Sequence, residues 1–167
     1  MSIRLCLGLW EIRQLRRRAF LIADGRWEQS LRKAATQLGL RRKIDLRGSV
    51  QITSPLMIGV FRPMILVPLG MLSNLSPEQV EVILLHELAH VRRHDYLANL
   101  LQLVVETLLF YHPLVWWVSN SVRRDREYLC DDVVVHRGKI DNLVYAQALT
   151  DLETFRQKEG LDMKRIY

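Results

Sequence analysis

The sequence predicts an α+β fold, mainly helical, in which a small antiparallel β-sheet or hairpin precedes a long capped helix. Three observations carry this expectation. The chain has 167 residues, of which 49% are apolar, which suits one domain with a substantial core. The stretch "KIDLRGSVQITSPLMIGVFRPMILVP", within residues 43–69, is rich in Ile, Val, Leu and Phe and punctuated by Gly48, Pro55, Gly59, Pro63 and Pro68, which reads as short strands. From Ser76 onward the apolar residues recur at helical spacing.

Residues 1–23 form a basic N-terminal segment. In "MSIRLCLGLWEIRQLRRRAF" the apolar stretch is short and the charges follow it, so it does not read as a signal peptide. Two readings stand. The segment is either the end of a membrane helix, with Arg13, Arg16, Arg17 and Arg18 at the cytoplasmic head groups, or an amphipathic surface helix. It holds too few apolar residues to span a bilayer. Asp24 then caps a helix over Trp27 to Leu38, and Gly39 ends it. The S-x-x-K match inside it, Ser30 to Lys33, lacks the S-D-N and K-T-G partners that would give it meaning. The prolines of residues 43–69 favour a sheet with an accessible edge.

"SPEQ" is a helix start: Ser76 caps, Pro77 takes the first helical position and Gln79 completes a capping box. Val80, Ile83, Leu84 and Val91 give this helix an apolar face. The next stretch, Leu97 to Phe110, is very apolar, with Asp95, Asn99, Gln102 and Glu106 confined to one stripe. That pattern suits a helix buried on most sides or lying at a membrane surface. Pro113 opens a further helix to about His136, with Gly138 as its stop. Asp141 caps a last one, with Tyr145, Leu149, Leu152 and Phe155 on one side.

Lys and Arg exceed Asp and Glu by 24 to 18, a net charge of +6. That balance favours anionic surfaces, but no helix-turn-helix, zinc-finger or aromatic RNA-binding signature is present, so nucleic acid is not an expected partner. Cys6 and Cys130 are too few for a disulfide framework and read as reduced thiols.

The stretch "LLHELAHVRRHDY", residues 84–96, carries the chemistry. His86 and His90 stand at i and i+4 on one helix face, so each can aim a ring nitrogen at one ion. Glu87 lies about 100° round the helix, where a base can take a proton from an attacking water. Zinc needs a third protein ligand. His94 lies roughly 6 Å beyond His90 along a straight helix, too far to share the ion. The H-E-x-x-H-x-x-G-x-x-H design is excluded, because Arg93 and Tyr96 occupy its glycine and last-histidine positions. In "RRDREYLCDD", residues 123–132, Glu127 and Asp131 again share a face. On a helix crossing the first, Glu127 would complete the zinc shell and Asp131 could orient an imidazole. The alternative is a solvated charged helix with ordinary Arg–Glu pairs.

With "SPLMIGVFRPMILVP", "LSPEQVEVILLHELAHVRRHDY", "FYHPLVWW" and "REYLCDD" in that order and spacing, Leu46 to Leu152 resembles the BlaR/MecR-type membrane zinc peptidases of the gluzincin group. The resemblance implies a mainly helical metallopeptidase domain over residues 24–158, followed by a C-terminal tail, 159–167. It implies Zn2+ held by His86, His90 and Glu127, Glu87 as catalytic base, and Asp131 and Asp95 as supporting residues. It also implies a protein or peptide substrate such as a cytoplasmic repressor, and a place at the cytoplasmic membrane with the catalytic domain on the cytoplasmic side, against the membrane surface or flanking membrane helices. A non-catalytic, zinc-binding membrane-associated adaptor is the alternative. Against the family pattern, this chain is expected to be a fragment or a trimmed domain. A stub at Leu5 to Trp10 stands in place of the preceding membrane helices, and no sensor follows Tyr167.

The expected reaction is peptide hydrolysis, with a substrate strand added to the sheet edge around Met57 to Phe61. Tyr111, His112, Arg123 and His136 are candidates for steadying the oxyanion, each more simply a packed or solvated residue. Trp116 and Trp117 read as core or membrane-interface residues, and Cys130 as a small buried residue.

Overall fold

The capping box at Ser76 starts the helix around which everything else packs. The Ser76 hydroxyl accepts from the Gln79 N–H at 3.3 Å, and the Gln79 side chain accepts from the Ser76 N–H at 2.8 Å. Two otherwise orphaned backbone donors are thereby satisfied. The computed structural model describes Trp10 and residues 12–59, 63–138 and 140–166. In chain order the elements are β1 (Phe20–Leu21), α1 (Gly25–Gln37), β2 (Asp45–Ser49), β3 (Leu56–Ile58), β4 (Met64–Pro68), α2 (Leu69–Asn74), α3 (Pro77–Arg93), α4 (Asp95–Leu108), α5 (Pro113–Gly138) and α6 (Asn142–Ile166). The mainly helical α+β expectation holds.

Helix α1 begins where Asp24 accepts from the Arg26 N–H at 3.0 Å and ends at Gly39, whose φ of 71° favours a residue without a Cβ. Trp27, Leu31 and Ala34 of α1 are buried. Lys33 ties α1 to α3 through Glu81 at 2.9 Å, an ordinary structural role for the residue inside the S-x-x-K match.

The sheet has the order β1-β2-β4-β3. Its two outer pairings are antiparallel, as expected, but the central β2–β4 ladder is parallel, from Asp45 opposite Met64 to Ser49 opposite Pro68. The reason lies in β4. Its five residues, MILVP, are buried throughout, which suits a central strand covered on both faces. β3 therefore takes the outer side of β4, and β2 meets β4 only through a crossover. β1, drawn from the basic segment 1–23, adds the opposite edge. The expected substrate-binding edge is represented by β3, which has no strand on its outer side among the described residues. Val60 and Phe61 of that stretch lie outside them, as do Leu5 to Leu9 of the membrane stub.

Helix α3 carries more apolar surface than a single face. Val80, Val82, Ile83, Leu84, Leu85, Leu88, Ala89 and Val91 are all buried. All but Val91 lie in one core with Trp27 and Leu31 of α1, Ile65 and Val67 of β4, Cys130 and Val134 of α5, and Tyr145, Ala148 and Phe155 of α6. A helix enclosed this way can hold two polar side chains in fixed rotamers because packing sets everything around them.

Candidate metal centre

The last turns of α3, the middle of α5 and the first turns of α6 meet at His86 and His90. The two Nε2 atoms face each other at 3.2 Å. Glu127 Oε2 lies 3.6 Å from His86 Nε2 and 3.7 Å from His90 Nε2. Ligand atoms around a tetrahedral zinc with bonds of about 2.0–2.1 Å sit about 3.3 Å apart, so the triangle has the right size for one ion. The imidazoles are largely enclosed, whereas the Glu127 side chain is 59% exposed. The centre therefore has an open side.

The outer nitrogens explain why the inner ones converge. Tyr145 of α6 donates its hydroxyl to Asp131 Oδ1 at 2.5 Å, so its oxygen accepts from His86 Nδ1–H at 2.7 Å. The Asp131 carboxylate itself lies 3.4 Å from His86 Nδ1. His90 Nδ1–H donates to Asp95 Oδ2 at 2.8 Å. With both Nδ1 atoms protonated, both Nε2 atoms carry lone pairs aimed at one point. Two such lone pairs at 3.2 Å repel unless a proton or a metal cation lies between them, and the donor set of two imidazoles and a carboxylate is one zinc takes.

Asp95 reaches His90 because α3 stops at His94. That residue adopts φ 58° and ψ 35°, the left-handed conformation, and its N–H closes the helix on the His90 and Val91 carbonyls. α4 starts at the next residue and turns the Asp95 carboxylate back toward His90. Arg93 Nε and Arg126 Nε flank its other oxygen at 3.5 and 3.9 Å, so the buried carboxylate faces two guanidinium groups as well as an imidazole. The chain thus makes a sharp turn without the glycine of the longer histidine motif. His94→Val is expected to destabilise the fold by about 1–2 kcal/mol, the cost of a β-branched residue in the left-handed region, while His94→Gly leaves stability within about 1 kcal/mol. Urea unfolding of the two variants checks this.

The electrostatics follow from burial and neighbouring charge. Burial disfavours a charged His86, but Glu127, Glu87 and Asp131 outweigh it and raise its pKa above 6.5. The contact with His86 holds the Glu127 carboxyl below the usual range, against a smaller effect of burial. Glu87 moves the other way: burial raises its pKa, and the two imidazoles only partly offset that. Burial, with Asp95, pushes the Cys130 thiol up. It stays an S–H group, 3.4 Å from Asp95 Oδ2, consistent with the small buried residue expected. Burial and Asp131 likewise push Tyr145 up and keep it a phenol donor.

Every expected ligand and supporting residue, His86, His90, Glu127, Asp131 and Asp95, falls within this cluster. Sequence reasoning passed over Tyr145, which it assigned to the apolar side of the last helix. The available signal was its hydroxyl: a tyrosine at a core position needs a polar partner. The oxyanion candidates are engaged elsewhere or lie at a distance. Arg123 bonds Glu106, and His136 pairs with Asp132 at 3.0 Å. Tyr111 and His112 stand in the α4–α5 turn, at the far end of the 14-residue α4 from Asp95.

Comparison with known proteins shows the family. The family described as BlaR1 peptidase M56 matches residues 3–164. The regulatory protein BlaR1 of Bacillus licheniformis is 30% identical over 123 residues, covering 73% of this chain and 20% of that protein. The methicillin resistance mecR1 protein of Staphylococcus aureus is 28% identical over 110 residues, 65% of this chain and 19% of that protein. The chain spans about a fifth of the length of these curated relatives.

Proposed function

Because the chain belongs to the BlaR1 peptidase M56 family, we propose that it is the catalytic part of a zinc-dependent endopeptidase, with His86, His90 and Glu127 as metal ligands and Glu87 as general base. The observation that carries this reading is the convergence of two imidazole lone pairs and one carboxylate oxygen on a point of zinc-ligand size. A zinc ion held there supplies a Lewis acid that polarises the scissile carbonyl and acidifies water. Glu87 takes the proton of the attacking water and hands it to the leaving amine. Tyr145 with Asp131, and Asp95, hold the two imidazoles in the tautomer that leaves Nε2 free. The substrate is a protein segment, which can lie along the outer side of β3 by backbone hydrogen bonds.

The relatives carry the words regulatory and methicillin resistance in their names. On that basis the substrate proposed for this chain is a cytoplasmic regulator such as a repressor, cleaved at the inner face of the cytoplasmic membrane. The exposed Arg13, Arg16, Arg17 and Arg18 support a place beside anionic head groups.

Metal analysis tests the ligand set. Wild type is expected to bind one zinc per chain, and His86→Ala and Glu127→Ala to lose it. Zinc retained at full stoichiometry in Glu127→Ala removes Glu127 as a ligand. The pH dependence has a definite sign. His86 in the metal-free protein holds its proton above pH 6.5, and zinc must displace that proton. Zinc affinity is therefore expected to be full in the alkaline range and to fall as pH drops through a value above that of free imidazole. A competition titration against a chelator from about pH 5.5 to 8.5 spans the imidazole range. A flat profile contradicts the assignment of His86.

A further inference from the structure

The α4–α5 hairpin is built inside out. The polar stripe of α4 turns inward: Arg126 donates to Asn99 and Gln102, Gln102 donates to the Ser119 carbonyl at 2.9 Å, and Arg123 bonds Glu106. The apolar residues turn outward. Leu101 is 66% exposed, Leu108 67% and Trp117 65%, with Leu100, Phe110 and Leu114 beside them. From Leu97 to Val122 there is no Lys or Arg, and the one acidic residue, Glu106, is paired. The apolar side is therefore outward because the polar side is already matched within the hairpin, not because α4 lacks a partner for its stripe.

We infer that this hairpin dips into one leaflet of an anionic bilayer and anchors the catalytic domain there. The inference rests on the membrane-associated reading above and names its device. Three observations select lipid as the occupant. The first is the turn. The Leu109 N–H bonds the Val105 carbonyl and the His112 N–H the Leu109 carbonyl, both at 2.9 Å, and Trp116 Nε1–H donates to the Phe110 carbonyl at 2.9 Å. These bonds meet part of the demand that hydrocarbon places on the backbone of a turn. The second is length. The apolar part of α5, Pro113 to Val122, is roughly 15 Å long, half of the ~30 Å hydrocarbon core, and no described helix is long and apolar enough to cross a membrane. The third is charge. Arg92 precedes the hairpin and Arg124 follows its apolar stretch, so besides Arg93 and Arg123, which face Asp95 and Glu106, one further arginine stands at each end of the stem, where lipid head groups would lie. A crevice of about 310 Å³ between the helices, walled by Val105, Leu109, Leu114 and Val118, offers room for an acyl chain.

The test uses the full chain with vesicles of phosphatidylcholine and phosphatidylglycerol carrying bromines on the acyl chains. Tryptophan fluorescence is expected to be quenched in wild type, and the quenching to fall at least threefold in Trp116→Phe/Trp117→Phe. Leu101→Glu/Leu108→Glu is expected to weaken vesicle binding at least tenfold while zinc content stays at the wild-type level, which shows that the fold persists. Quenching that survives loss of both tryptophans places the contact at Trp10 instead: membrane association stands and the hairpin anchor falls. Vesicle binding abolished by salt, without acyl-chain quenching, reduces the contact to head groups and overturns insertion. Absence of vesicle binding together with a dimer in sedimentation that Leu101→Glu/Leu108→Glu dissolves assigns the face to a second copy and overturns it as well.

Discussion

Glu87→Gln is expected to lower peptide hydrolysis by about a thousandfold or more while leaving zinc content and fold intact. General-base catalysis contributes roughly 10²–10⁴ in rate, and an amide cannot take up the proton of the attacking water. The stability side separates this loss from unfolding. Burial raises the pKa of Glu87 from its ordinary 4.5, so the folded state binds that proton more tightly than the unfolded chain does. The associated stability is fully present below pH 4.5 and is lost as pH rises through the folded pKa. At neutral pH this half-buried carboxylate is therefore a burden on the metal-free protein. The neutral, isosteric glutamine removes it, and metal-free Glu87→Gln should unfold at a urea concentration no lower than that of wild type. Hydrolysis that persists in this variant would assign the chain to the non-catalytic adaptor class.

Asp95→Ala is expected to cost about 3 kcal/mol of stability and to weaken zinc binding about 10- to 100-fold. The carboxylate is 5% exposed. It accepts from His90 Nδ1–H and faces Arg93 and Arg126. Truncation leaves an enclosed imidazole donor and two guanidinium groups without their anion, and an unpaired buried charge costs more than the pair was worth. The two effects have separate measurements. Urea unfolding without metal reads the lost charge pairing, and chelator competition reads the freed imidazole. Asp95→Asn keeps an acceptor for His90 but not the charge, so it should recover zinc affinity better than stability. Zinc affinity unchanged in Asp95→Ala would mean that His90 is oriented by packing alone.

Which parts of this centre the sequence could reveal follows from the range of the interactions involved. Ser76, Pro77 and Gln79 act within one turn, and the helix starts where they put it. His86 with His90, and Glu127 with Asp131, are i, i+4 pairs, so each pair shares a face wherever its helix goes. The polar stripe Asn99, Gln102 and Glu106 was equally visible. Its direction was not, because only α5 supplies Arg123 and Arg126 and turns the stripe inward.

The sequence by itself determined the longer helices α1 and α3 to α6, the candidate ligand pairs and the pattern of the apolar stretch that follows, because each is written in neighbours a few residues apart; the short α2, Leu69–Asn74, carries no side-chain cap and was not legible. Only the tertiary structure decided that β2 and β4 run parallel and that His94 turns left-handed to bring Asp95 under His90. It also brought Tyr145 from a third helix between His86 and Asp131. These features depend on contacts between segments distant in the chain. Their energies come from burial and from satisfying enclosed polar groups, quantities that exist only once the core around α3 has closed.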